Sequence, residues 1–116
     1  MHELSIAEGI AEVVERTAEK NAIDAISSVR VSIGELAGVD TDALLFAWQS
    51  VASAGLLKGA SLQIERTAGE AWCTDCEKTV PLKAYGDACP ACGGYHLIAT
   101  AGTEMRVIDF VPKEKN

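Results

Sequence analysis

Hydrophobic side chains recur at intervals of three or four positions in two segments of the chain, residues 4–22 and residues 42–54. This spacing collects them on one face of a helix and leaves the other face to polar residues. The first face comprises Leu4, Ala7, Ile10, Ala11, Val14 and Ala18. The second comprises Leu44, Leu45, Trp48, Val51 and Ala52. The pattern predicts two amphipathic helices, the second capped at its start by Asp40 or Thr41.

Strict alternation of apolar and polar residues predicts strands at residues 29–33 and 60–65, on either side of the second helix. A strand, a helix and a strand in succession predict a right-handed crossover between parallel strands. Two further extended segments, residues 96–100 and 105–111, lie near the end of the chain with a turn between them. We expect the last of them to return to the same sheet, which then has three strands of mixed direction.

The length and the charge of the chain limit the classes of protein to which it can belong. A chain of 116 residues, 48% of them hydrophobic, can bury one modest core. It contains no apolar run near the roughly 20 residues of a membrane span and no secretory signal, so we expect a cytoplasmic protein. The net charge is −7, from ten basic and seventeen acidic residues. That balance argues against a nucleic-acid binder and suits a binder of cations or of basic protein surfaces.

All the cysteines lie in one short segment, as two Cys-x-x-Cys pairs separated by twelve residues. They are Cys73, Cys76, Cys89 and Cys92. A two-residue gap lets a tight turn place two sulfurs on one side of an ion, and two such turns complete a tetrahedron. The spacing predicts a structural zinc site, because four thiolates leave no open coordination position for catalysis. A dithiol redox pair, two disulfides and a rubredoxin-like iron site are the alternatives, and iron takes the same four thiolates.

Residues 71–94 hold few large apolar side chains, so we expect the metal to supply much of the folding free energy there. They are Trp72, Val80, Leu82 and Tyr85. The segment also lacks the basic face of a nucleic-acid-binding ribbon. The predicted fold class is therefore α+β, with two helices on a small mixed three-stranded sheet. The zinc-ribbon module at residues 71–94 would be an insertion into a domain formed by residues 1–70 and 95–116.

The start of the chain offers a second kind of metal site. The imidazole and backbone nitrogens of His2 can chelate one ion, and the Met1 amine or the Glu3 backbone nitrogen can close adjacent rings. Such planar, nitrogen-rich coordination suits Ni²⁺ or Cu²⁺ and not Zn²⁺. The Glu3 carboxylate could add an axial oxygen.

Four features occur together in one known family. The chain opens Met-His-Glu-Leu-Ser, continues with an acidic helix and a Val-x-Val-x-Ile-Gly-Glu strand at residues 29–35, and then carries the paired Cys-x-x-Cys module. In this order they resemble the HypA/HybF hydrogenase nickel-incorporation proteins over essentially the whole chain. The resemblance implies a nickel metallochaperone that is not an enzyme. It would transport Ni(II) for [NiFe]-hydrogenase maturation and hold a structural Zn(II).

The resemblance also implies partners and site residues. The partners would be the GTPase HypB and the precursor of the hydrogenase large subunit, with urease as another nickel recipient and a homo-oligomer left open. Nickel would bind His2 and Glu3, with Met1 and Asp40 as further candidates, and Asp40 has helix capping as its other role. Glu35 would support the nickel site or simply end a strand. His96 would be a donor to sulfur, a transient nickel ligand or a surface residue.

Two other function classes compete with metal delivery: a zinc-ribbon module that binds nucleic acid or protein, and a rubredoxin-like electron carrier. Binding of nucleic acid needs a basic face, and residues 1–70 carry eleven acids against five bases. The second would give a red, iron-containing protein. Nothing in the sequence supports catalysis, because Ser5 has no His/Asp constellation and no nucleotide-binding lysine motif is present.

Overall fold

The structure, a computed structural model, describes residues 2–114 of the chain. Its two helices are α1 (Glu3–Lys20) and α2 (Thr41–Val51). Its strands are β1 (Ile26–Gly34), β2 (Ser61–Thr67), β3 (Glu70–Cys73), β4 (Lys78–Pro81), β5 (Leu97–Ala101) and β6 (Met105–Pro112). Single 3-10 turns occur at Glu35–Ala37 and Gly55–Leu57. Between residues 2 and 114, no helix combines the length and apolarity that a membrane span requires.

Helix α1 buries one face, as its periodicity predicts. The buried side chains are Ile6, Ala7, Ile10, Ala11, Val14 and Ala18. Leu4, which the pattern places on the same face, stays half exposed. The helix ends at Lys20, just before the predicted Ala22, where the Asn21 N–H turns back to the Ala18 carbonyl.

Helix α2 packs through Leu44 and Trp48, and the Trp48 indole Nε1–H donates to the buried Ala60 carbonyl at 2.9 Å. The predicted apolar face is too broad, because Leu45 is exposed. Its neighbour Phe46 is 76% exposed. The helix also ends at Val51, before the predicted Ala54, and the Ala52 N–H closes its last turn on the Trp48 carbonyl.

The main sheet has the strand order β2-β1-β6, so the last strand does return to it, as predicted. Arg30 in the central strand joins all three strands. Its guanidinium binds both carboxylate oxygens of Asp109 on β6, at 2.6 and 3.1 Å, and Glu65 on β2 at 3.0 Å. The predicted α+β class, two helices with a small mixed sheet, is confirmed.

A second three-stranded sheet, of order β4-β3-β5, was not predicted. Both pairings are antiparallel, and they place Trp72 opposite Thr79 on β4 and Ile98 on β5. The segment at residues 96–100 is therefore extended, as expected, but it pairs with β3. Alternation along β3 buries Ala71 and Cys73 and turns Glu70 and Trp72 outward.

Residue contacts divide the chain into two compact units. The first holds the described residues up to Val31, Val39–Glu65 and those from Arg106 onward, and it contains both helices. The second holds Ser32–Gly38 and Arg66–Met105, including the four cysteines. Independent folding of residues 71–94 as a module stays a prediction.

Candidate metal centre

Each Cys-x-x-Cys segment closes the same hydrogen-bonded turn. The N–H of Glu77 donates to the Cys73 carbonyl, and the N–H of Gly93 donates to the Cys89 carbonyl, both at 2.8 Å. The residue after each second cysteine has a positive φ, 53° at Glu77 and 75° at Gly93. Glycine adopts this backbone conformation at no steric cost, whereas Glu77 adopts it against its preference. Both turns therefore need a positive φ after their second cysteine, and only the second turn has a glycine at that position.

These two turns bring all four sulfurs together, within 4.8 Å of one another. The Sγ atoms of Cys73 and Cys92 are 3.8 Å apart, and those of Cys76 and Cys89 are 4.0 Å apart. A tetrahedral zinc with Zn–S bonds of about 2.3 Å separates its sulfurs by about 3.8 Å. The donor set and its spacing thus fit a four-coordinate zinc.

The surroundings of the sulfurs favour thiolates that share a cation. The backbone N–H of Cys76 donates to the Cys73 Sγ, and the backbone N–H of Gly94 donates to the Cys92 Sγ, both at 3.4 Å. The N–H of Cys92 helps to lower the pKa of the Cys89 thiol to about 7. Hydrogen bonding with the Cys92 thiol raises the pKa of Cys76 to about 12, since neighbouring sulfurs cannot all ionise together. A divalent cation removes that conflict.

The centre is partly enclosed. Cys73 and Cys89 are buried with Val80, and Leu97 packs against them, whereas Cys92 is exposed. Four thiolates leave no coordination position for a substrate, so a metal here holds the chain together. Zinc bound at this site would cross-link β3 and the turn before β4 to the second Cys-x-x-Cys turn, at residues 89–92.

Two of the four large apolar side chains of residues 71–94 are not buried. Val80 and Leu82 are buried, but Trp72 is 40% exposed and Tyr85 is also exposed. Ile98, which faces Trp72 across the sheet, is 58% exposed. Exposed and buried residues alternate along β3, so Glu70 and Trp72 lie on its exposed face and Ala71 and Cys73 on its buried face. This alternation is the signal in the sequence that Trp72 faces outward.

Two residues singled out from the sequence make contacts away from the sulfurs. The His96 Nδ1 lies 2.8 Å from the Asp75 Oδ2, and both side chains are exposed. The Glu35 Oε1 accepts the Gly69 N–H at 2.8 Å. Glu35 opens the 3-10 turn after β1, so it marks the end of that strand. Roles in nickel binding for these two residues stay predictions.

His2 and Glu3 lie where α1 begins. His2 is the exposed N-cap residue, with extended backbone angles, and its carbonyl accepts the Ile6 N–H at 3.2 Å. Its imidazole makes no capping hydrogen bond. The Glu3 Oε2 accepts the backbone N–H of Asp40 at 3.2 Å. Met1, also predicted as a nickel ligand, lies outside the described residues.

Asp40 is therefore beside the start of the chain and also caps α2. Its Oδ1 accepts the Ala43 N–H at 3.1 Å, as an N-cap residue does. The sequence indicated two roles for Asp40, helix capping and nickel binding. The structure shows that Asp40 caps α2 and lies beside Glu3.

A sequence model of the family described as hydrogenase/urease nickel incorporation, metallochaperone, hypA, matches residues 1–111. The hydrogenase maturation factor HypA of Polaromonas naphthalenivorans is 47% identical over 111 residues, which are 96% of each chain. That of Cupriavidus necator is 42% identical over 114 residues, 98% of this chain and 96% of the relative.

Solved structures agree with the sequence comparisons. The solution structure of the Ni metallochaperone HypA from Helicobacter pylori covers 99% of this chain, with a TM-score of 0.67 and 29% identity. All of that chain is covered in turn. These matches confirm the resemblance found in the sequence. Members of this family are metallochaperones and not enzymes. The chain belongs to the HypA family of hydrogenase/urease nickel-incorporation metallochaperones.

Proposed function

We propose that this chain binds one Ni(II) ion at its N-terminus through His2 and Glu3 and delivers it for the maturation of [NiFe]-hydrogenase. The four-cysteine centre carries a structural Zn(II). Nickel is the cargo and zinc stays with the protein. The family assignment supports the nickel chemistry, and the donor groups at the start of α1 support this location.

The helix start suits a nitrogen-rich chelate. The first N–H groups of any helix lack an acceptor within the helix. Backbone nitrogens at His2 and Glu3 can therefore lose their protons to a metal without breaking a hydrogen bond of α1. The exposed His2 imidazole is the anchor, because an amide nitrogen deprotonates only when a neighbouring donor already holds the ion. This donor set suits Ni²⁺.

The hydrogen bond between Glu3 and Asp40 is the observation that carries the proposal. It fixes the Glu3 carboxylate against the start of α2 while leaving its second oxygen to bind an axial position. The Met1 amine and the remaining Asp40 oxygen are further candidate ligands. Because this contact holds Glu3 before any metal arrives, less conformational entropy is lost on binding.

Delivery needs partners that the family assignment suggests. We propose the GTPase HypB as the protein that exchanges nickel with this chain and the hydrogenase large-subunit precursor as the recipient, all in the cytoplasm. Nucleotide hydrolysis belongs to HypB, since this sequence has no nucleotide-binding lysine motif.

Nickel titration of zinc-loaded protein with a free, native N-terminus tests the proposal. We expect the wild type to bind one Ni²⁺ per chain by calorimetry, with the visible absorption of a planar nickel complex. His2→Ala should lose this stoichiometric binding and keep its zinc. His2 is exposed at the chain end, so its removal should leave stability nearly unchanged.

His96→Ala is the matched control, because it removes the one other histidine. That variant should bind nickel as the wild type does. Equal nickel affinity and stoichiometry in the wild type and His2→Ala would exclude the N-terminal site.

A further inference from the structure

A groove of about 590 Å³ runs between α1 and the last turn of α2, and none of its lining residues is a proposed metal ligand. Both helices belong to the first compact unit. The groove begins at Leu4, directly after Glu3, and follows α1 as far as Glu19. It is a surface of this unit that neither the zinc centre nor the nickel site uses.

The floor of the groove is apolar. Leu4 lies at one end and is half exposed, although the helical pattern places it among the buried residues of α1. Ala11 is buried in the middle, and its small side chain leaves the space above it open. Val51, in the last turn of α2, completes the floor.

The wall of the groove that α1 forms is acidic. Glu8, Glu12, Glu15 and Glu19 are spaced so that they follow one side of α1. The one basic residue of the lining, Arg16, is already paired with Glu12. Within the part of the chain that the structure describes, the other three carboxylates have no ion-pair partner.

We propose that this groove is a docking site for a basic amphipathic helix of a partner protein. Apolar side chains one turn apart would lie on the floor, and Lys or Arg side chains on the side next to α1 would face the glutamates. The negative charge of the α1 wall selects this occupant, because the same charge repels nucleic acid and anionic lipid. The inference goes beyond nickel binding and is tested separately from it.

A designed peptide tests the site with the zinc-loaded full chain at low salt. The probe is a fluorescein-labelled helix of about 18 residues, long enough to be helical in water, with Leu one turn apart and Lys on both sides. We expect saturable binding by fluorescence anisotropy. Glu8→Lys combined with Glu15→Lys should weaken it at least tenfold, roughly the effect of reversing two charges at an interface rim.

Two controls separate the groove from general charge attraction. Glu70→Lys with Asp87→Lys changes the net charge by the same amount at exposed positions of the second unit, and it should leave binding within about twofold. A scrambled peptide of identical composition, with no apolar face, should bind about tenfold more weakly because it cannot cover the floor. Equal loss in both charge variants, or equal binding of both peptides, would overturn the proposal.

Two further measurements complete the test. Nickel titration of the Glu8→Lys, Glu15→Lys variant should match the wild type, so a failure of docking is distinguishable from a failure of the nickel site. Sedimentation of the chain alone should show no self-association that depends on Glu8 and Glu15. Self-association abolished by those substitutions would assign the groove to a second copy of the chain and overturn the proposal.

Discussion

The backbone N–H of Asp40 donates to the carboxylate of Glu3, at 3.2 Å, across 37 positions of the chain. The same residue caps α2 with its side chain. A single aspartate thus fixes the start of α2 and holds a proposed nickel ligand at the start of α1. The two functions use different atoms, so substitutions can separate them.

Asp40→Ala should destabilise the protein by about 1 kcal/mol, because the Ala43 N–H loses its acceptor. Asp40→Asn should remain near wild-type stability, since asparagine caps a helix as well as aspartate does. Thermal unfolding of the two variants measures the difference. If Asp40 acts only through its helix cap and its backbone N–H, Asp40→Asn should bind nickel with wild-type affinity. A large loss of nickel affinity would instead identify the Asp40 carboxylate as a ligand.

Cys76→Ser should release the zinc from the second unit. Structural zinc contributes about 10–16 kcal/mol to the folding of small zinc-binding peptides at neutral pH, so the loss of one thiolate should loosen this unit. Fluorescence of Trp72, four residues before Cys76 and next to Cys73, should report the change. Helical circular dichroism should persist, because α1 and α2 belong to the other unit. Iron instead of zinc in the purified wild type would contradict the assignment of the metal.

Gly34→Ala and Gly9→Ala should change stability in opposite directions. A Cβ at Gly34 would fall on the backbone of Gly102, whose carbonyl accepts the Leu36 N–H at 2.8 Å. Backbone must shift, so we expect a loss of at least about 2 kcal/mol. A Cβ at Gly9, in the middle of α1, meets nothing within 4 Å. There we expect a gain of about 0.5–1 kcal/mol, since alanine favours the helix.

Denaturant unfolding of both glycine variants, each loaded with zinc, provides the comparison. The two substitutions add the same methyl group, so the difference between them isolates the close approach at Gly34. A Gly34→Ala protein as stable as the wild type would show that the backbone contact with Gly102 is not required.

Asp109→Asn should lower stability at neutral pH by an amount that disappears in acid. The hydrogen bond and charge of Arg30 hold the pKa of Asp109 below its ordinary value. A carboxyl group whose pKa is depressed in the folded state stabilises the fold above its unfolded-state pKa, about 3.9, and this contribution is lost as pH falls through the lower folded-state value. The melting temperatures of wild type and variant should therefore converge below about pH 4. A difference that stays constant from pH 7 to pH 3 would assign the effect to packing.

Several features follow from local sequence alone. The six buried positions of α1 recur at helical spacing, and Asp40 precedes α2 with the side chain that caps it. The paired Cys-x-x-Cys motif indicates a metal site, because two-residue gaps bring sulfurs together whatever surrounds them. These properties depend on neighbours within a few residues, so periodicity and spacing are sufficient to predict them.

Other features arise only from pairing between distant segments. Ile98 pairs with Trp72 in a second sheet because β5 lies beside β3, and no local pattern specifies the partner of a strand. The exposure of Leu45 depends on how much of α2 the neighbouring elements cover, which its own apolar face does not reveal. The hydrogen bond from Asp40 to Glu3 is of the same kind: the sequence supplies both groups, and only the packing of α1 against α2 brings them within 3.2 Å.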